Sequence, residues 1–116
     1  MFTGIITHLG ELKAINGEFN SQYEIASDID LASVCIGASI CCSGVCLTVV
    51  EKAGSSVVFD VSNETLSKTT LKSWMVGDSV NLEQSMSAND QFGGHIVTGH
   101  IDGVSIAEDI LSLIHI

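Results

Sequence analysis

A small closed all-β barrel is the architecture this sequence predicts, on three observations. Short apolar, β-branched runs recur along the chain, at strand length and too short for ordinary helices. Glycine-containing turns punctuate them at Asn16-Gly17, Ser43-Gly44, Ala53–Ser55 and Gly77-Asp78. Proline is absent, so no run is disqualified as a strand on that ground. A flat open sheet of such strands would expose aggregation-prone edges, and closure into a barrel removes them.

The elements follow in order. Phe2–Ile15 alternates loosely and is rich in β-branched residues, which predicts a strand. Asn16-Gly17 turns it, Gln22–Ala26 returns, and Ser27–Asp30 is a polar loop. Leu31-Ala32 suits a short turn of helix, and Ile36–Ile40 begins another extended piece. Ser43-Gly44 turns into the strand Val45–Glu51, and Ala53–Ser55 turns into Val57–Val61, so two hairpins are expected. Ser62–Leu71 differs. Ser62 or Asn63 can cap a helix, Glu64 favours its first turn, and Leu66, Thr70 and Leu71 recur at helical spacing. A short helix of two turns is expected there. Gly77-Asp78 turns into the strand Ser79–Glu83, Met86–Phe92 is a loop, and His95–Ile106 is a final strand or strand pair bent at Gly99. The total is six or seven strands and one short helix, without an internal repeat.

Composition narrows the function. A chain of 116 residues suits one domain. Its four cationic residues are all lysines (Lys13, Lys52, Lys68, Lys72) against 14 acidic ones, a net charge of −10. Nucleic-acid binding needs clustered Lys and Arg, so no nucleic-acid partner is expected. Without arginine there is no bidentate phosphate clamp, and a neutral ligand is favoured. No apolar run approaches the roughly 18 residues of a membrane span, and the N-terminus has no signal-peptide core. No membrane partner and a cytoplasmic location are therefore expected. Cysteines stand at 35, 41, 42 and 46, a spacing that matches no zinc knuckle, and reduced core thiols are the expected use of at least some.

The richest chemistry lies in Gly93–Gly103, G-G-H-I-V-T-G-H-I-D-G. Glycine lets backbone approach a ligand closely, and histidine is the side chain best suited to proton handling near neutral pH. His95 and His100 are five apart, so on an unbroken strand they would face opposite sides.

Five stretches now stand in order: Met1-Phe-Thr-Gly-Ile-Ile; Gly37-Ala-Ser-Ile with Ser43-Gly-Val-Cys-Leu-Thr-Val; Asp60-Val-Ser-Asn-Glu-Thr-Leu; Gly77-Asp-Ser-Val-Asn-Leu-Glu; and Gly93–Gly103. Together they resemble the N-terminal lumazine-binding domain of riboflavin synthase of the alpha-chain type, over about residues 1–109. The resemblance implies a six-stranded Greek-key barrel, one of a tandem pair. It implies conversion of two molecules of 6,7-dimethyl-8-ribityllumazine into riboflavin and 5-amino-6-ribitylamino-pyrimidinedione, by transfer of a four-carbon unit without cofactor or metal. It also implies a homotrimer, with the active site between barrels of neighbouring subunits.

The same resemblance places Gly4, Ile5 and Ile6, then Cys46, Leu47 and Thr48, then Asp60, Val61, Ser62, Asn63, Glu64 and Thr65, and Gly99, His100 and Ile101 around the substrate. Ser39, Cys46, His95 and His100 become the catalytic candidates. The donor must lose a proton from its C7 methyl group, and the acceptor must be activated at C7. His100 is the leading candidate for proton handling, and Cys46 or Ser39 could donate a hydrogen bond or add directly. Whether the nucleophile is water, a ribityl hydroxyl or the protein stays open. Each residue also has a packing reading: Cys46 within V-C-L-T-V as core, Ser39 as a strand hydroxyl bonded to backbone.

The last seven residues, 110–116 (I-L-S-L-I-H-I), do not resemble the family's continuation and read as a truncated or foreign tail. The chain alone is expected to bind lumazine or riboflavin, as a homodimer imitating two barrels, with little or no turnover. A non-catalytic lumazine or flavin carrier of antenna type is the alternative, and a small barrel using His and Cys for a metal is a third.

Overall fold

The computed structural model of the chain describes residues 1–17, 21–86 and 96–107. Six strands form it: β1 (His8–Asn16), β2 (Ser21–Ala26), β3 (Ser39–Cys42), β4 (Val45–Ala53), β5 (Ser56–Val61) and β6 (Ser79–Gln84). All pairings are antiparallel, and the order β1-β2-β5-β4-β3-β6 closes on itself. β3, β4 and β5 are joined by tight turns while β2 reaches its place beside β5 by a long connection, which is the Greek-key arrangement. Closure leaves every strand a partner on both sides, as the apolar strand pattern demands.

Strict alternation divides inside from outside. Tyr23 and Ile25, Ile40 and Cys42, Val45, Leu47 and Val49, Val57, Phe59 and Val61, and Val80 and Leu82 all join one buried cluster. Their intervening neighbours face outward, so the outer surface of β4 and β5 carries Cys46, Thr48 and Asp60. Six strands enclose only enough space for side chains, so the interior is core and any ligand site must lie outside it.

The β3–β4 turn is tight. Ser43 (φ 46°) and Gly44 (φ 91°) both take positive φ, the conformation that matches strand twist in a two-residue hairpin. Cys42 and Val45 flank it as register partners, and Cys41 faces Cys46 one step further on.

Helix α1 (Asn63–Lys68) starts where Ser62 accepts a hydrogen bond from the Thr65 N–H at 3.2 Å. It is shorter than the expected Ser62–Leu71. Thr69 is extended (φ −128°, ψ 176°) and uses its hydroxyl to cap the 3-10 turn Thr70–Ser73 instead. That break lets Leu71 drop fully into the core. Leu66 and Trp74 pack beside it, with the Trp74 ring edge-on to Tyr23 at 6.2 Å. The Tyr23 hydroxyl donates to the Leu71 carbonyl at 2.9 Å, tying this lid to the barrel.

Two further expectations are corrected. The first strand begins at His8, not Phe2. Gly4 (φ 85°) bends the first residues off the ladder, and Phe2 forms an isolated bridge with Val97 instead. The described part of the final stretch, 96–107, holds no strand, because that one bridge is its sole ladder contact. The loop predicted at Met86–Phe92 lies, apart from Met86, outside the described residues, as does the 110–116 tail.

Tyr23→Phe keeps the ring and removes the bond to Leu71. Urea unfolding should show a loss of about 1 kcal/mol, the net worth of one hydrogen bond, since the Leu71 carbonyl still accepts from the Trp74 N–H at 3.1 Å. Burial also raises the Tyr23 pKa, so the unfolded chain ionises first. Wild-type stability is then complete below about 10 and falls as pH climbs through the folded value, a decline Tyr23→Phe should lack.

Candidate functional site

The site is built where β5 ends. β4 and β5 pair from Ala53↔Ser56 to Thr48↔Asp60, and two residues further the register would set Cys46 opposite Ser62. Ser62, however, caps α1, and β5 ends at Val61. A cavity of about 430 Å³ opens at this divergence, lined by Cys46, Leu47, Thr48, Asp60, Val61, Ser62 and Thr65. A backbone amide buried without a partner is costly, and the Cys46 N–H finds the Gly99 carbonyl at 3.0 Å. Gly99 is held in two ways. Its φ is +78°, and a Cβ there would sit 2.8 Å from the Cys46 Cβ.

Beyond this contact the chain forms the wall of a second hollow of about 360 Å³, lined by Val45, Glu64, Thr65, Lys68, Thr69, His100, Ile101 and Asp102. Thr65 lines both spaces. Its hydroxyl lies 3.1 Å from that of Ser62, the helix cap. Lys68 pairs with Glu64 at 3.4 Å, one helical turn apart. Asp60 accepts from the Gln22 side-chain amide at 3.2 Å. The first cavity thus presents hydroxyls from Thr48, Ser62 and Thr65 and a carboxylate from Asp60, but no cation. That lining suits an uncharged, hydroxyl-rich group better than a phosphate.

The remaining predicted residues are placed as follows. His100 is exposed, with its backbone N–H donating to the Thr98 hydroxyl at 3.4 Å. Asn63 is exposed at the start of α1 and lines neither space. Ser39 is half-buried in a separate hollow with Cys35, Gln84 and Met86, although its register partner is Thr48. Gly4, Ile5 and Ile6 line none of these spaces, and Ile5 and Ile6 are 55% and 47% exposed. His95 lies outside the described residues. Among the described residues, no three His, Cys, Asp or Glu come together as metal ligands.

One residue absent from the predicted set holds this region together. Glu83, on the outer face of β6, is only 4% exposed. Its carboxylate accepts from the Thr3 N–H at 2.8 Å, the Thr3 hydroxyl at 2.9 Å and the Gly4 N–H at 3.0 Å. The adjacent Phe2 exchanges backbone bonds with Val97 at 2.7 and 2.6 Å and is fully buried. Glu83 therefore fixes the N-terminal segment, which fixes Val97, two residues before Gly99. Local alternation reads Glu83 as an ordinary solvent-facing strand carboxylate. The residues that cover it come from the other end of the sequence, so no local signal marks it.

With this geometry in place the comparisons are direct. The lumazine binding domain family matches residues 3–85, and the chain belongs to that family. Among curated relatives, the riboflavin synthase of Photobacterium phosphoreum is 47% identical over 108 residues, covering 90% of this chain and 49% of that protein. The riboflavin synthase of Brucella abortus (strain 2308) is 45% identical over 111 residues, covering 89% and 54%. The chain spans about half the length of these relatives. Among solved structures, LumP complexed with riboflavin superposes with a TM-score of 0.79 at 33% identity, over 89% of this chain and 56% of that one. LumP complexed with 6,7-dimethyl-8-(1'-D-ribityl) lumazine gives 0.75 at 33%, over 89% and 55%.

Two substitutions probe the assembly. Glu83→Gln keeps the shape but turns an amide N–H₂ toward donors, and should cost about 2–3 kcal/mol in denaturant unfolding. Gly99→Ala should cost about 1–3 kcal/mol through positive φ and crowding against Cys46, and should shift the backbone amide resonances of Cys46 while leaving those of β1 and β2 in place.

Proposed function

We propose that this chain binds 6,7-dimethyl-8-ribityllumazine in the cavity between β4, β5 and α1, as the lumazine-binding half of a riboflavin synthase. The observation that carries the proposal is the convergence of Cys46, Leu47, Thr48, Asp60, Val61, Ser62 and Thr65 on one cavity. These residues come from separate stretches of a chain whose relatives are named riboflavin synthase. Hydroxyls of Thr48, Ser62 and Thr65 meet the ribityl chain, which needs polar partners once it leaves water. The half-buried Cys46 on the cavity wall meets the carbonyl and N–H edge of the flat ring.

The reaction joins two lumazines, transferring four carbons from donor to acceptor to give riboflavin and 5-amino-6-ribitylamino-pyrimidinedione. In this reading His100 handles the proton of the donor's C7 methyl group or stabilises the resulting ring charge. Cys46 donates a hydrogen bond to the ring or adds at the acceptor's C7, and Ser39 and His95 are further polar candidates. A second lumazine needs a second barrel. We place the complete site between this barrel and another in a homotrimer of the longer protein, with a homodimer of the present chain as its nearest imitation. No cofactor or metal enters the scheme.

A non-catalytic carrier is the second reading, favoured by the LumP structures, which hold riboflavin, the lumazine and flavin mononucleotide on a similar barrel. Fluorescence titration of the chain with 6,7-dimethyl-8-ribityllumazine tests binding. Saturable change in emission is expected, weakened about tenfold by Thr65→Ala through the loss of one buried hydroxyl partner. No change at high ligand concentration would sink the proposal. Riboflavin formation by the barrel joined to a second lumazine-binding barrel separates the enzyme from the carrier.

A further inference from the structure

We infer that Cys41 and Cys46 form a reversible thiol–disulfide site on the outer face of the barrel, reached by small-molecule disulfides of the glutathione type. The two cysteines are direct register partners across the β3–β4 hairpin. Cys42↔Val45 closes its two-residue turn, so by ladder alternation Cys41↔Cys46 is a non-hydrogen-bonded pair. The Cys46 N–H agrees, since it donates away from β3 to Gly99. Side chains at such positions lie on the same face, and their Cα atoms are about 4.5 Å apart, at the short end of the span a disulfide accepts. The other two thiols are excluded by direction. Cys42 faces the core, where burial pushes its thiol well above the ordinary value. Cys35 is exposed, outside the hairpin.

The pair divides the chemistry. Cys46 is half-buried on the cavity and meets the incoming disulfide first. Cys41 is buried beside Glu83. Burial, with the Glu83 carboxylate adding to it, holds its thiol above the ordinary value. The Cys46 thiolate attacks one sulfur of the small disulfide, forming a mixed disulfide and releasing one thiolate. Cys41 then loses its proton, attacks the Cys46 sulfur and closes the intramolecular bond, releasing the second thiolate. The two protein thiols give up two electrons and two protons, and the small disulfide becomes two thiols. The closed loop is very short, so little loop entropy stabilises the bond, and a thiol reductant reopens it. Closure turns the Cys46 sulfur toward β3 and out of the cavity. The effect on ligand binding rests on the lumazine-binding proposal, whereas the disulfide does not.

The test is incubation of the reduced chain with glutathione disulfide, alkylation of remaining thiols, proteolysis between Gly44 and Val45, and tandem mass spectrometry. A Cys41–Cys46 cross-link is expected in the native chain and in Cys35→Ser, reversed by dithiothreitol. Cys41→Ser, checked for folding by circular dichroism, should stop at glutathione on Cys46. A stable glutathione adduct on Cys46 of the native chain, or a cross-link through Cys35 or Cys42, would overturn the inference. In parallel, the oxidised native chain should bind 6,7-dimethyl-8-ribityllumazine about tenfold more weakly than the reduced one. If the reduced chain binds none, the lumazine reading fails while the mapped cross-link still stands.

Discussion

β5 stops pairing at Val61 while β4 runs on to the Ser43-Gly44 turn, so the Cys46 N–H points from the ladder with no strand beside it. A backbone donor in that position must find an acceptor. Gly99 supplies one, and the conformation that lets it do so commits the following residues to the wall beside α1. The cavity is thus the consequence of a ladder that ends early on one strand and is completed by a distant segment. Cys46, Asp60 and Ser62 line the cavity because they surround that gap.

The completing segment would be weakly held by one backbone bond. It is reinforced through Phe2, whose two bonds to Val97 make a one-rung ladder with a fully buried side chain. Phe2 is in turn anchored by Glu83 through its neighbours Thr3 and Gly4. A buried carboxylate is tolerable only when its oxygens are satisfied, and here three donors do so. Bonds to charged acceptors are among the stronger in proteins, which suits an anchor that carries two chain segments.

This explains what was legible from sequence and what was not. The hairpins β3–β4 and β4–β5 read out directly, because alternation in V-C-L-T-V-V-E and the turn Ser43-Gly44 are local signals. A helix cap at Ser62 or Asn63 read out for the same reason, and the structure uses Ser62. The stretch after Ile96 did not. Its β-branched residues suit a strand, but a strand needs a neighbour, and the described part meets one only at Phe2. The helix ended early because Thr69 is extended, its hydroxyl donating back to the Thr65 carbonyl while accepting from the Leu71 N–H of the next turn, a linkage that spacing of Leu66, Thr70 and Leu71 does not register. Resemblance of separate stretches, not periodicity, was what pointed to Cys46–Thr48 and Asp60–Thr65 together. The structure brings most of those to one cavity and leaves Ser39 and Gly4–Ile6 elsewhere.

The placement of polar groups follows from barrel size. The interior is filled by Leu12, Phe59, Leu71 and their neighbours, so it has no room for a ring system. Chemistry is confined to the outer rows of the strands, where successive partners Thr48, Asp60 and Gln22 run across the sheet. Such a row lies on a convex surface and encloses little space by itself. A deeper grip requires material from outside the six strands, which here is α1 on one side and the segment 99–102 on the other. The apolar side chains of Ile5, Ile6 and Ile96 remain exposed nearby in sequence to the anchoring bridge, not drawn into the core. Because the core is already saturated, contacts made to the outer rows change none of the packing that holds the barrel together. The core and the cavity lining are drawn largely from opposite faces of the same strands, and that separation lets the outer rows bear carboxylates and hydroxyls the core could not accept.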